Sequence, residues 1–256
     1  MHFLDTSNSD NFYKVLKSFY EEAINEWLES GNKREDFTEK GAKIVIILDN
    51  ASFHKKEEYI NKIEAENALY NPPIQTIQVE GISLQIDQRN FANSNASNYL
   101  TSDPYLLWGL ELGLPDSAKQ QVHNLLQVQA QRFERTDILT AVNEDSLDRD
   151  PHFLYYSVYA NGEPWNIVDS QGQSYPHLRF LSTKAAFAWN ALRPDHPYTQ
   201  TLRATVENLA ERDRGFLAGR YENFQLGDNA VFNVNTNAII LESLLYKARG
   251  ERPLAF

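Results

Sequence analysis

Apolar residues recur at helical spacing near the start of the chain: Phe12, Val15, Leu16, Phe19, Tyr20, Ala23, Ile24, Trp27 and Leu28. Residues three and four apart share one face of a helix. The pattern therefore predicts an amphipathic helix that stops at Gly31. Residues 44–48 form a continuous apolar run, as a strand buried on both faces would, and Asp49 ends it. A second helix is expected over about residues 55–67, with Ile60 and Ile63 as its apolar contacts. From Ile74 the texture changes. IQTIQVEGISLQI alternates apolar and polar residues, which predicts a short hairpin or strand. TSDPYLLWGLELG predicts a helix capped by Asp103, with Pro104 in its first turn and Gly113 as its stop.

Further helices are predicted over residues 116–134, where Val122, Leu125, Leu126, Gln129 and Phe133 line one face, and over 183–192, around Ala185, Ala186, Phe187 and Trp189. Pro194 ends the latter, and Pro197 opens the next helix, with Leu202, Val206, Leu209 and Ala210 inward. A last helix, capped by Asn235 or Thr236, carries Ala238, Ile239, Leu241, Leu244 and Leu245 and ends near Gly250 and Pro253. Between them, residues 153–159 are aromatic and β-branched, the pattern of a strand, closed by a turn at Asn161-Gly162.

Composition divides the chain near Tyr70. Residues 1–70 hold eight Lys, one Arg and no Gln; residues 71–256 hold three Lys, twelve Arg and thirteen Gln. At the join, Tyr70-Asn71-Pro72-Pro73 stops a helix and extends the chain. The expected organisation is one piece over 1–69 and another over 70–256. The net charge of -11 argues against a broad nucleic-acid surface held by counterion release. The chain has no cysteine, so disulfides and thiolate metal sites are excluded. Its six His show no ligand spacing, so neither a metal nor a cofactor is expected. No apolar run reaches the roughly 18 residues of a membrane span, and no signal peptide is read at the start, which makes the cytoplasm the default compartment.

An Asp at the end of a buried strand is well placed for catalysis, although it more often makes a turn or caps a helix. IVIILDNASFHKK, preceded by FLDTSNSDNFYKVLKSFYEE, resembles the core of mariner-like insertion-sequence transposases of the DDE type. The resemblance covers about residues 1–66. It implies a ribonuclease-H-like α/β fragment in which Asp49 is the second of three metal-binding carboxylates. Two metal ions need several carboxylates to offset their charge. The other two are not found, so DNA cleavage and nucleic-acid binding are not expected.

TSDPYLLWGLELG, VQAQRFERTDILTAVNEDSLDRDPHFLYYSVYANGEPWNIV, STKAAFAWNAL and GFLAGRYEN with VNTNAIILESLLYKARG together resemble the bacterial domain-of-unknown-function family numbered 3131. That resemblance runs from about residue 75 to 256. It implies a mainly α, partial (α/α) toroid with short strands, related to six-hairpin glycosidases and glucoamylase-like proteins, and a link to polysaccharide metabolism with an oligosaccharide as partner. Aromatic faces stack on sugar rings, and carboxyl groups protonate a glycosidic oxygen or activate water. On that basis the catalytic candidates are Asp103, Glu144 and Glu222, and the sugar-contact candidates are Trp165, Tyr221, Asn235 and Asn237. The alternatives are structural: a helix cap for Asp103 and Asn235, and an ion pair with Arg214 or Arg220 for Glu222. Only about half of a six-hairpin ring is counted in the sequence. The leading expectation is therefore a fused or truncated protein without activity of its own; the alternatives are a DNA-transposition remnant and a glycoside-hydrolase-like enzyme.

Overall fold

The computed structural model describes residues 9–36, 74–90 and 98–255. The chain divides into two units, residues 1–72 and 73–254. In the first, helix α1 (Ser9–Glu29) forms where the apolar spacing places it and ends at Gly31, whose φ of 82° suits a residue without a side chain. Trp27 Nε1 donates to the Lys33 carbonyl at 2.7 Å and ties down the turn that follows. The apolar run at 44–48, Asp49 and the helix expected over 55–67 lie outside the described residues.

The second unit mixes helices with five small sheets of two or three strands. It opens with a hairpin, β1 (Ile74–Val79) and β2 (Ile82–Asp87), in which Val79 pairs with Ile82. Two residues remain for the turn, Glu80 and Gly81, both at positive φ, as a type I′ hairpin requires. Val79, Leu84 and Ile86 are buried. Helix α2 (Asp103–Leu107) continues as a π turn over Trp108–Leu112. Its cap position is Ser102 and not Asp103; Asp103 lies inside the first turn and its carboxylate is used elsewhere. A Cβ on Gly109 would come within 2.8 Å of a terminal methyl of Leu192, so a larger residue there would push that side chain aside.

Helix α3 (Asp116–Thr136) packs beside β2 and reaches its backbone through side-chain amides. Gln121 Oε1 accepts from Gln85 N at 3.0 Å while its Nε2 donates to Gln85 O at 2.9 Å, and Asn124 Nδ2 donates to Ser83 O at 2.8 Å. Two residues further along the same edge, Asn98 Nδ2 donates to Asp87 O at 3.4 Å. Next come β3 (Glu144–Ser146), β4 (Phe153–Tyr156), the β5 (Tyr159–Ala160) and β6 (Glu163–Pro164) hairpin, and β7 (Ile167–Val168). Strands β3, β4 and β7 form one antiparallel sheet.

Strand β8 (Phe180–Ser182) runs directly into helix α4 (Thr183–Leu192), all ten residues of which are buried. Helices α2, α5 (Pro197–Val206) and α6 (Val234–Ala248) pack around it. A helix apolar on every side belongs in a core, and α4 is the middle of this one. Short strands β9 (Ala210–Glu211), β10 (Gly215–Phe216), β11 (Gly219–Tyr221) and β12 (Asp228–Asn229) connect α5 to α6, with β11 lying between β8 and β12.

Helix α6 begins earlier than expected. Its cap is Asn233, whose Oδ1 accepts from Thr236 N at 2.7 Å, so Asn235 and Thr236 are both inside the helix. Its outer side leaves Val234, Leu241, Leu244 and Leu245 exposed. Replacing Asn233 with Ala should lower the unfolding free energy by about 1 kcal/mol, read from the shift of a urea unfolding midpoint at constant slope.

Candidate functional site

Successive residues of a strand point to opposite faces, and β3 uses this to sort two acids. Asp145 points inward and is 1% exposed; Glu144 points outward and is half-buried. On the inner side, Ser182 Oγ donates to Asp145 Oδ2 at 2.6 Å. Asp145 Oδ1 lies 3.5 Å from the Nζ of Lys184, close enough for charge attraction but without hydrogen-bond geometry. Burial therefore outweighs the lysine, and the Asp145 carboxyl is pushed up to about 6.

Lys184, on the first turn of α4, is itself 2% exposed. Its ammonium donates to Asn235 Oδ1 at 2.5 Å and lies 4.0 Å from Asp103 Oδ1. Asp103 also accepts from Asn143 Nδ2 at 3.1 Å. That bond fixes the orientation of the Asn143 amide, because the flipped form would set oxygen against oxygen. The cluster thus joins α2, β3, β8, α4 and α6, with two carboxyl groups, Asp103 and Asp145, around one ammonium.

Glu144 faces the outer side of this cluster. No side chain among the described residues donates a hydrogen bond to its carboxyl group. Burial holds its proton affinity above the ordinary glutamate range; the charge of Asp103 adds to this, and Lys184 partly opposes it. The register of the sheet sets Glu144 opposite Tyr155 and Ser146 opposite Phe153. Paired residues share a face, so Glu144 stands beside aromatic rings. Phe153 and Tyr155 meet edge to face with centroids 5.3 Å apart, and Tyr99 tilts against Tyr155 at 4.7 Å. Phe153 is 40% exposed. Burial, and then the charge of Glu144, raises the Tyr155 phenol.

The other candidates lie elsewhere in the fold. Glu222 is bound on both oxygens by Arg132, at 2.7 and 2.9 Å, and accepts from the Tyr156 hydroxyl at 2.6 Å. Arg214 and Arg220, its expected partners, face Glu211 and Asp228 instead. Arg132 is 5% exposed, also bonds the Thr140 hydroxyl, and lies 4.9 Å from the ring centre of Trp165. Trp165 is 7% exposed, and its Nε1 donates to Glu80 Oε1 at 3.0 Å, so its ring belongs to the interior. Tyr221 is buried and donates to Asp148 Oδ1 at 2.7 Å. Arg149 beside it holds the Asp148 carboxyl down at about 2. Asn237 braces β10: its Oδ1 accepts from Phe216 N at 2.9 Å and its Nδ2 donates to Phe216 O at 3.3 Å. Of the candidates, Asp103, Glu144 and Asn235 come together; Glu222, Trp165, Tyr221 and Asn237 do not join them, and Asp49 is outside the described residues.

Sequence reasoning passed over Lys184, Asn143, Asp145 and the Tyr99–Phe153–Tyr155 rings. The signal for Lys184 was present: it is the one charged residue in a segment, TKAAFAWNAL, that is otherwise apolar or small on every side. A lysine in such a helix needs a buried acid.

Among the described residues, no group of three or more His, Cys, Asp or Glu could hold a metal ion, and no helix is long and apolar enough to cross a membrane. A cavity of about 180 Å³ bordered by Leu114, Leu192, Tyr246 and Pro253 shares no residue with the acid cluster.

The second unit is thus a mixed helix-and-strand domain with a buried charge cluster next to an aromatic sheet face. A family model described as a protein of unknown function (DUF3131) matches residues 54–250, and the chain belongs to that family. The match reaches further toward the N-terminus than residue 75 and takes in residues 54–66, which were expected to belong to the first piece. No curated protein and no solved structure matches the chain.

Two outcomes test the charge assignments. Arg132→Met strands the Glu222 carboxylate in the interior and should cost about 3–5 kcal/mol in urea unfolding, whereas adding Glu222→Gln should recover much of that loss. For Asp145 the folded carboxyl binds its proton more tightly than an unfolded one near 3.9. Its contribution is therefore fully present below about pH 4 and is lost as pH rises through about 6. Asp145→Asn should remove a pH-dependent loss on the order of 3 kcal/mol in that window, seen as the difference between variant and wild-type unfolding curves.

Proposed function

We propose that the outer face of the β3–β4 sheet is a carbohydrate site and that Glu144 is its proton donor. The observation that carries this reading is the pairing of Glu144 with Tyr155: a half-buried carboxyl group whose proton affinity burial raises above the usual range, directly beside Tyr155, Phe153 and Tyr99. Aromatic faces take the apolar faces of sugar rings, and a carboxylic acid of raised pKa is the group that protonates a glycosidic oxygen. Asp103 supplies the second carboxylate. It is oriented by Asn143 and close enough for Glu144 to feel its charge. The substrate class is an oligosaccharide, in line with a role in polysaccharide metabolism. The architecture that goes with this reading is a toroid of helical hairpins, in which the apolar outer stripe of α6 is where a further helix would pack.

Binding of β-glucan oligosaccharides to the full chain, followed by calorimetry and by analysis of released sugars, tests the reading. The wild type should bind at least one member of the panel. Tyr155→Ala should weaken that binding by about tenfold. Glu144→Gln should retain binding and abolish any hydrolysis. Absence of both binding and hydrolysis across the panel would sink the proposal.

A further inference from the structure

The three helices that start at the acid cluster also end together. Asp103 lies in the first turn of α2, Lys184 in that of α4 and Asn235 in that of α6. At their other ends, the π turn that continues α2, the end of α4 and the last turns of α6 border the cavity of about 180 Å³. A single water needs about 10–15 Å³ of such space, so this cavity admits a small organic molecule. Two glycines keep it open. A Cβ on Gly113 would come within 3.2 Å of Pro253 Cγ, and one on Gly109 would meet the Leu192 methyl; Pro253 and Leu192 are themselves walls of the cavity. Pro253 is held in place by its neighbours. Leu254 N donates to the Leu110 carbonyl at 3.0 Å, and the Arg249 guanidinium donates to Leu254 O at 3.0 Å. The π turn is a rare element that occurs most often at functional sites.

The lining has two chemistries. Leu114, Leu192 and Pro253 supply apolar surface, while Lys119, Arg193 and Tyr246 supply two cations and a phenol, with no acid among the lining residues. Lys119 already meets Asp116 Oδ1 at 2.6 Å in an exposed pair. Arg193 differs. It is half-buried, its guanidinium donates to the Leu192 carbonyl at 3.0 Å, and no carboxylate among the described residues pairs with it. Tyr246 is also half-buried, packed against the core. A guanidinium carries five N–H donors in a planar fork that matches the two oxygens of a carboxylate. The bond to Leu192 leaves most of that fork free. With Lys119 balanced by Asp116, the lining offers one uncompensated positive charge, which suits a monoanion better than a dianion.

We propose that this cavity is a second binding site, for a small organic monocarboxylate: Arg193 takes the carboxylate, the Tyr246 hydroxyl donates to it, and Leu114, Leu192 and Pro253 cover a short apolar body. Charge-assisted hydrogen bonds are the strong ones, so Arg193 supplies the selectivity for an acid over its neutral amide. The apolar walls supply the preference for a body over a bare inorganic anion. The site does not depend on the carbohydrate reading, because the cavity and the acid cluster have no residue in common.

The experiment is calorimetric titration of the full chain with three probes of one shape: benzoate, its uncharged counterpart benzamide, and phenyl phosphate. Benzoate should bind saturably at one site per chain, and benzamide about tenfold more weakly, the loss of one charged hydrogen bond. Arg193→Met should lower benzoate affinity by about tenfold and leave benzamide unchanged. Leu114→Trp, which fills the space, should abolish benzoate binding. In amide NMR spectra, benzoate should shift the Gly109 and Gly113 signals of the wild type. Benzamide binding as tightly as benzoate, unchanged benzoate affinity in Arg193→Met, glycine signals that stay in place, or no saturable binding would each overturn the proposal. Phenyl phosphate binding more tightly than benzoate would overturn the choice of a monocarboxylate. Should Leu114→Trp fail to fold, the Arg193→Met titration and the glycine signals still decide the matter. None of these readouts involves a sugar, so failure of the carbohydrate reading and failure of this site are told apart.

Discussion

The second unit is organised by one constraint: helix α4 is buried on every side, and one of its ten residues is a lysine. An ammonium removed from water without partners would cost more than a domain's entire margin of stability. The surrounding elements therefore have to bring polar groups to one point. Strand β3 brings Asp145, α2 brings Asp103, and α6 brings Asn235, each from a different stretch of sequence. The positions of these three elements around α4 are consequently tied to one another by chemistry as well as by packing.

A second buried charge does similar work at the other end of the sheet. Arg132, near the end of α3, is fixed by Glu222 and Thr140 and by the ring of Trp165, while the Tyr156 hydroxyl donates to Glu222. Trp165 and Arg135 both donate to Glu80, at the tip of the first hairpin. The hairpin tip, α3 and the segment after β11 are thus joined through Arg132, Arg135 and Trp165. Such an arrangement contributes little net energy compared with a well-packed apolar alternative, but it is severe on any single replacement. Its value is in fixing which way the aromatic residues of this region point, which is why Trp165 and Tyr156 are interior residues here.

Much of the fold was legible in the sequence. Helices α1, α3 and α4 and the start of α5 follow from spacing and prolines, and the first hairpin from alternation, because each of these signals acts within a few residues, whereas α5 stops at Val206 and leaves Leu209 and Ala210 outside it. The caps were less legible. Asp103 and Asn235 have the right side chains for capping, but long-range partners, Asn143 and Lys184, take them, and Ser102 and Asn233 hold the cap positions. The site was half legible for the same reason. Asp103 and Glu144 stand out as acids near aromatic residues, whereas the partner of Glu222 lies ninety residues away along the chain and no local pattern could name it. The rings beside Glu144 become visible only once the register of β3 and β4 is known, because register decides which side chains share a face.

The three carboxamides beside β2 have a consequence for the chain's behaviour in company. The outer edge of that strand offers the carbonyls of Ser83, Gln85 and Asp87 and the amide of Gln85, and each is met by Asn124, Gln121 or Asn98. These side chains imitate the backbone of an adjacent strand. A two-stranded ribbon with an open edge is a template on which other polypeptides can assemble. Here that edge is already occupied by groups of the same molecule, so β2 is closed to the strand-by-strand growth that leads to aggregates.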